Sequence, residues 1–139
     1  MNLINTTITQ RIQESIAVKQ ALLEDHALLS QLSQLAEDCL NALRQGGKVI
    51  FAGNGGSFAD AQHLSAEFTS RFLFDRAPLP SLALGTNNSA LSAIGNDYGF
   101  EQVFARELRG IAQPNDVFIG ISTSGNSPNI VAAVQVAKE

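Results

Sequence analysis

The stretch Lys48-Val49-Ile50-Phe51-Ala52-Gly53-Asn54-Gly55-Gly56-Ser57-Phe58-Ala59-Asp60-Ala61-Gln62-His63-Leu64-Ser65-Ala66-Glu67 decides the fold. Its opening run, Lys48 to Ala52, is apolar, too short for a helix, and preceded by Gly46-Gly47. It predicts a buried strand, then a glycine turn, then a helix that begins near Ser57. Glycines allow a sharp turn and leave backbone N–H groups uncovered. A helix N-terminus adds partial positive charge, so the corner Asn54-Gly55-Gly56-Ser57 suits a phosphate or another anion. Further along that helix, His63 and Glu67 lie four residues apart and share a face. They read either as an acid/base or metal-binding pair or as a surface pair, with Glu67 and Arg71 as an i,i+4 ion pair. Two ligands do not complete a zinc site, which takes three or four.

Upstream, residues 3–24 carry Ile4, Ile8, Ile12 and Ile16 at four-residue spacing, a narrow apolar stripe on a helix. A second helical pattern follows Asp25, with Leu28, Leu32, Leu35, Cys39, Leu40 and Leu43 expected inward. It ends at Gly46-Gly47. Residues 1–46 are therefore expected to form a helical leader and residues 47–139 an α/β part, together one domain. The isoleucine stripe fits packing on the partner helix or on another subunit, and oligomerisation is the sharper expectation. His26 reads as an exposed loop residue and Cys39 as a buried structural thiol.

Downstream, the helix carrying His63 and Glu67 is expected to stop around Phe72, before a loop with Pro78 and Pro80. Ser81 to Leu84 predicts a second strand. Thr86-Asn87-Asn88-Ser89 offers caps for a short helix to about Ile94. Gly95-Asn96-Asp97-Tyr98-Gly99 reads as a polar turn in which Asp97 is a cap or a holder of ligand hydroxyls. Phe100 to Ile111 predicts a helix with Phe100, Val103, Phe104 and Leu108 on one side. Val117 to Ile121 predicts a third strand. Strands alternating with helices imply parallel pairing. After the third strand come Ser122, Thr123, Ser124 and Ser127, a density of hydroxyls greater than one cap needs, with Pro128 at the first position of another helix. Ligands of open parallel sheets bind beyond the carboxyl ends of the strands, so two anion-friendly corners at the same edge of one sheet can converge on one ligand.

The 139 residues suffice for one domain, and 45% apolar with 16% charged residues excludes a disordered chain. A net charge of −4 provides no basic footprint for nucleic acid. No apolar run approaches the roughly twenty residues of a membrane span, and the N-terminus lacks a signal-peptide core. A soluble, cytoplasmic protein is expected. The glycine corner is not a dinucleotide fingerprint, because Phe58 stands where the third glycine belongs, and no P-loop occurs.

Three strings together resemble the sugar isomerase (SIS) domain family: Gly53-Asn54-Gly55-Gly56-Ser57 with Asp60-Ala61, His63 and Glu67; Ile94 to Phe100; and Gly120 to Ser127. The resemblance spans nearly the whole chain. It implies a flavodoxin-like three-layer sandwich with a parallel sheet, assembled as a homotetramer through the leader helices. It implies an aldose–ketose isomerase acting on a phosphorylated seven-carbon sugar, sedoheptulose 7-phosphate, in lipopolysaccharide precursor synthesis. Ser57, Ser122, Thr123, Ser124 and Ser127 would hold phosphate beside Gly55 and Gly56. Asn54, Asn96 and Asp97 would meet the sugar, and Arg71 would line the site. Glu67 would be the base of an enediol mechanism, and His63 with Glu67 would bind one zinc ion per subunit. The family continues into a late helix that supplies a glutamine and a histidine. The sequence here stops at Lys138-Glu139, so a shortened chain with little isomerase activity by itself is expected. The alternatives are a non-catalytic SIS adaptor of the bacterial replication initiator, a class that tends to lose the base and a loop serine, and a sugar-phosphate-sensing regulatory domain.

Overall fold

The computed structural model describes residues 3–139. In chain order they form α1 (Leu3–Glu24), α2 (His26–Arg44), β1 (Val49–Gly53), α3 (Gly56–Thr69), β2 (Ser81–Ala83) and α4 (Asn88–Tyr98). A 3₁₀ turn (Phe100–Gln102), α5 (Val103–Ile111), β3 (Val117–Ile121) and α6 (Pro128–Ala137) follow. The chain divides into two compact units, 1–38 and 39–139. Every expected site residue lies in the second.

In the first unit, α1 and most of α2 are exposed. Ile8, Ile12 and Ile16 are 49–56% exposed. Asp25 caps α2, its carboxylate accepting the Leu28 N–H at 2.9 Å, so His26 opens the helix rather than sitting in a loop. The leucines expected inward are not covered: Leu28, Leu32, Leu35 and Leu40 are 38–51% exposed. Only the last turns of α2 reach the core, where Ala42 is buried and Cys39 and Leu43 pack beneath the sheet.

The second unit is built on three parallel strands in the order β2-β1-β3. β1 is central and buried throughout, pairing Val49 with both Ser81 and Val117. Buried on both faces, it reads as a continuous apolar run rather than an alternating one. Ile50 and Ala52 join Leu84, Val103, Phe104, Leu108 and Ile130 on one face. Val49 and Phe51 join Ala61 and Ala83 on the other, with the Phe68 ring 5.8 Å from that of Phe51. Helices thus cover both faces, giving the expected three-layer α/β arrangement.

Several boundaries differ from expectation. α3 stops at Thr69, not Phe72. α4 runs through Gly95-Asn96-Asp97, because Leu91 and Ile94 anchor it to the core and only Gly99, with φ +88°, ends it. Phe100 is 60% exposed, because its 3₁₀ turn takes it off the buried face of α5, whose Val103, Phe104 and Leu108 are buried as expected.

Candidate functional site

The chain leaves β1 for β2 on one side and returns to β3 on the other. Strand order therefore reverses between β1 and β3, the switch point where open α/β sheets bind ligands. Both expected corners sit there. After β1, Gly53 has no room for a side chain, because a Cβ would lie 2.2 Å from the Ser57 carbonyl oxygen. Gly55 takes φ +56° and places the chain for α3. Nothing stands within 4 Å of where a Gly56 Cβ would be, which leaves the first turn of α3 open.

After β3, the hydroxyls of Ser122 and Ser127 hydrogen-bond at 3.0 Å, and Ser124 lies 3.5 Å from Ser122. The Asn126 N–H donates to Ser124 Oγ at 3.2 Å, and Thr123 is exposed beside them. Ser127 occupies the N-cap position of α6, yet its hydroxyl turns to Ser122 instead of capping. Among the described residues no side chain caps α3 or α6. In contrast, Asn87 caps α4, accepting the Ala90 N–H at 3.1 Å. The helices flanking the switch point therefore keep N–H donors and positive dipole ends for an anion. A sequence shows residue types at caps; it does not show which way a hydroxyl turns.

Later on α3, His63 Nε2 and Glu67 Oε1 are 3.5 Å apart. The imidazole is 75% exposed and the carboxylate 31%. One nitrogen and one oxygen donor at this spacing have the chemistry of zinc ligands and would make two of the three or four that zinc takes. Among the described residues, no group of three or more His, Cys, Asp or Glu is arranged to hold a metal. The expected Glu67–Arg71 ion pair does not form, because α3 ends before Arg71 and releases it from helical register. A residue not singled out in the sequence, Arg76, acts here instead. Its guanidinium donates to the backbone carbonyls of Glu67 at 2.6 Å and Phe68 at 2.9 Å, occupying the orphan acceptors at the end of α3. Glu67 and Arg76 border an apolar cavity of about 360 Å³ lined by Leu64, Phe68, Phe72, Phe74 and Leu79.

Asn96 and Asp97 stand in the last turn of α4, with Asn96 Nδ2 donating to Asp97 Oδ1 at 2.8 Å. They line an open polar groove on α4 with Ser89 and Ser92. A second cavity lies between the corners. That cavity, about 220 Å³, is lined by Asn54, Phe100, Glu101, Ser127, Pro128 and Asn129. Glu101 and Asn129 were not legible as site residues, because neither stands in a recognisable motif. The Asn54 amide meets that of Asn129 in two hydrogen bonds.

The SIS domain model matches residues 12–139, and the chain belongs to the SIS domain family. Within that family it is similar to named isomerases. It is 53% identical over 136 residues to the phosphoheptose isomerase of Aneurinibacillus thermoaerophilus, covering 98% of this chain and 69% of that protein. The Burkholderia pseudomallei phosphoheptose isomerase is 53% identical over 133 residues, covering 96% of this chain and 68% of that one. The solved phosphoheptose isomerase of Neisseria gonorrhoeae superposes with a TM-score of 0.88 at 43% identity, over 97% of this chain and 69% of its own. That of Francisella tularensis has the same TM-score at 35% identity, covering 99% and 71%. No helix among the described residues is long and apolar enough to cross a membrane.

Proposed function

We propose that the protein is an aldose–ketose isomerase acting on a phosphorylated seven-carbon sugar. The observation that carries this reading is the position of Glu67 on α3, whose uncapped N-terminus opens at the β1/β3 switch point. The likeness to phosphoheptose isomerases supports it. So do the presence of Glu67 and Ser124, which the adaptor class tends to lose.

In this reading the substrate phosphate lies across the N-termini of α3 and α6. The amides of Gly55 and Gly56 and the hydroxyls of Ser57, Ser122, Thr123, Ser124 and Ser127 donate to its oxygens. Asn54, Asn96 and Asp97 meet the sugar hydroxyls, and Arg71 lines the site. The Glu67 carboxylate removes the proton from C1 of the ketose. The C–H electron pair forms the C1–C2 double bond while O2 gains a proton, giving an enediol. Glu67 returns its proton to C2 as O1 loses its own, which leaves the aldose. His63 and Glu67 would hold one zinc ion, whose chemistry there is electrostatic stabilisation of negative charge on the substrate oxygens. Sedoheptulose 7-phosphate as substrate, a role in lipopolysaccharide heptose synthesis, a cytoplasmic location and a tetramer built on the α1 stripe complete the proposal. The exposure of Ile8, Ile12 and Ile16 supports the oligomer.

The test is conversion of sedoheptulose 7-phosphate by the full gene product and its Glu67→Gln variant. Turnover that falls at least about a hundredfold in the variant is expected, the lower range for general acid–base catalysis. No turnover by the folded, zinc-supplied wild type would overturn the reading. Zinc retained through purification by the wild type and lost in His63→Ala would support the metal assignment.

A further inference from the structure

Side chains clamp β1 and β3 together at both ends. At their N-terminal ends Lys48 pairs with Asp116. Beyond their C-terminal ends, Asn54, the residue after β1, donates through Nδ2 to Oδ1 of Asn129 in α6 at 2.9 Å, and Asn129 Nδ2 donates back to Asn54 Oδ1 at 2.8 Å. Asn129, the second residue of α6, is only 3% exposed and is followed by Ile130 in the core. An amide in that position costs stability unless both its donor and its acceptor are matched, and the reciprocal pair matches one of each.

Reciprocity also fixes orientation. Flipping either amide would set oxygen against oxygen and N–H against N–H. Asn54 therefore keeps one N–H and one oxygen lone pair in constant directions for a ligand. The β1–β3 ladder ends at Gly53 opposite Ile121, and the amide pair carries the tie past it. Gly55 and Gly125 both have positive φ, and neither has an atom within 4 Å of where its Cβ would stand.

We propose that Asn129 is a positioning residue for the phosphosugar site. Its amide locks Asn54 in one orientation and holds the glycine corner at a set distance from the hydroxyl corner. This rests on the isomerase reading above. A phosphate bridging two helix N-termini binds more tightly when their spacing is fixed beforehand, because less ordering remains to be done on binding.

The test uses the full gene product with Asn129→Leu, close in volume and apolar, and Asn129→Ala should the first fail to fold. We expect the KM for the phosphoheptose to rise about tenfold with kcat within about threefold, a loss of about 1.4 kcal/mol in binding. The Kd of inorganic phosphate, followed by the Gly55 and Gly125 amide signals in NMR titration, should rise in parallel. Lys48→Met, which cuts the opposite clamp, should lower Tm and leave both constants unchanged. A purely structural role for Asn129 would reduce the active fraction, hence kcat, at constant KM; that pattern overturns the proposal. So does an equal rise in KM from Lys48→Met. Phosphate titration needs no turnover, so it decides the clamp even where the wild type fails to convert the sugar. Equal phosphate Kd in wild type and variant would overturn the clamp; absent turnover alone would overturn only the isomerase.

Discussion

The corner after β1 and the corner after β3 lie side by side but are made of different things. The first is backbone: a fully buried strand, a glycine pressed against the Ser57 carbonyl, and an open helix start. The second is side chains: a half-buried strand followed by serines that hydrogen-bond one another. A backbone cradle depends on the absence of atoms. A hydroxyl cradle depends on their presence. A small substitution should therefore damage the fold at Gly53, where there is no room, and binding at Ser124, where a hydroxyl is lost.

The largest effect is expected from Gly53→Ala. Its new Cβ would overlap Ser57, so the corner must shift, at a cost of about 3 kcal/mol in urea unfolding. A stability equal to wild type would break the contrast. Ser124→Ala, at an exposed position, should leave the unfolding midpoint nearly unchanged. It should instead raise the KM for the phosphoheptose about tenfold, the loss of one hydrogen bond to a charged group. Loss of stability without a change in KM would mean that the serines build the turn rather than the site.

A third prediction separates this end of the strand pair from the other. Burial pushes the Asp116 carboxyl up. The Lys48 ammonium and the N–H groups of Gln113 and Lys48 outweigh it and hold the group below its ordinary 3.8. A lowered folded-state pKa contributes stability above the ordinary value, and that contribution is lost as pH falls through the folded one. Asp116→Asn should cost about 1 kcal/mol at neutral pH. The gap to wild type should close as pH drops below about 4, with KM unchanged throughout. A gap that persists in acid would assign the effect to packing. The smallest effect is expected at Gly56→Ala. With open space at the site and a helical position, it should stabilise the fold by up to about 1 kcal/mol, since alanine restricts the unfolded chain. Phosphate affinity should fall, because the methyl enters the space the anion would take.

The legible parts of the molecule were those that local chemistry dictates. β1 and β3 were clear because each is a short continuous apolar run bounded by turn residues, although only β1 is buried throughout. The glycine corner was clear because only glycine makes such a turn, and His63 and Glu67 were clear because helical spacing puts them on one face. The extent of α4 was not, since Gly95 resembles a stop until Leu91 and Ile94 are seen holding the helix to the core. Nor was Arg76, nine residues beyond Glu67, because its carbonyl partners become available only where α3 ends.

Local sequence dictated that strands and helices alternate, that two anion-friendly corners follow β1 and β3, and that the helix after the first carries a histidine–glutamate pair. Periodicity, glycine and hydroxyl content are properties of neighbours along the chain, so they can be read there. Tertiary structure alone decided that β1 lies between β2 and β3, which brings both corners to one switch point. It also decided that α3 and α6 remain uncapped, and that Asn54 finds Asn129 across 75 residues. These depend on which surfaces meet once the core has closed, and no local preference encodes that.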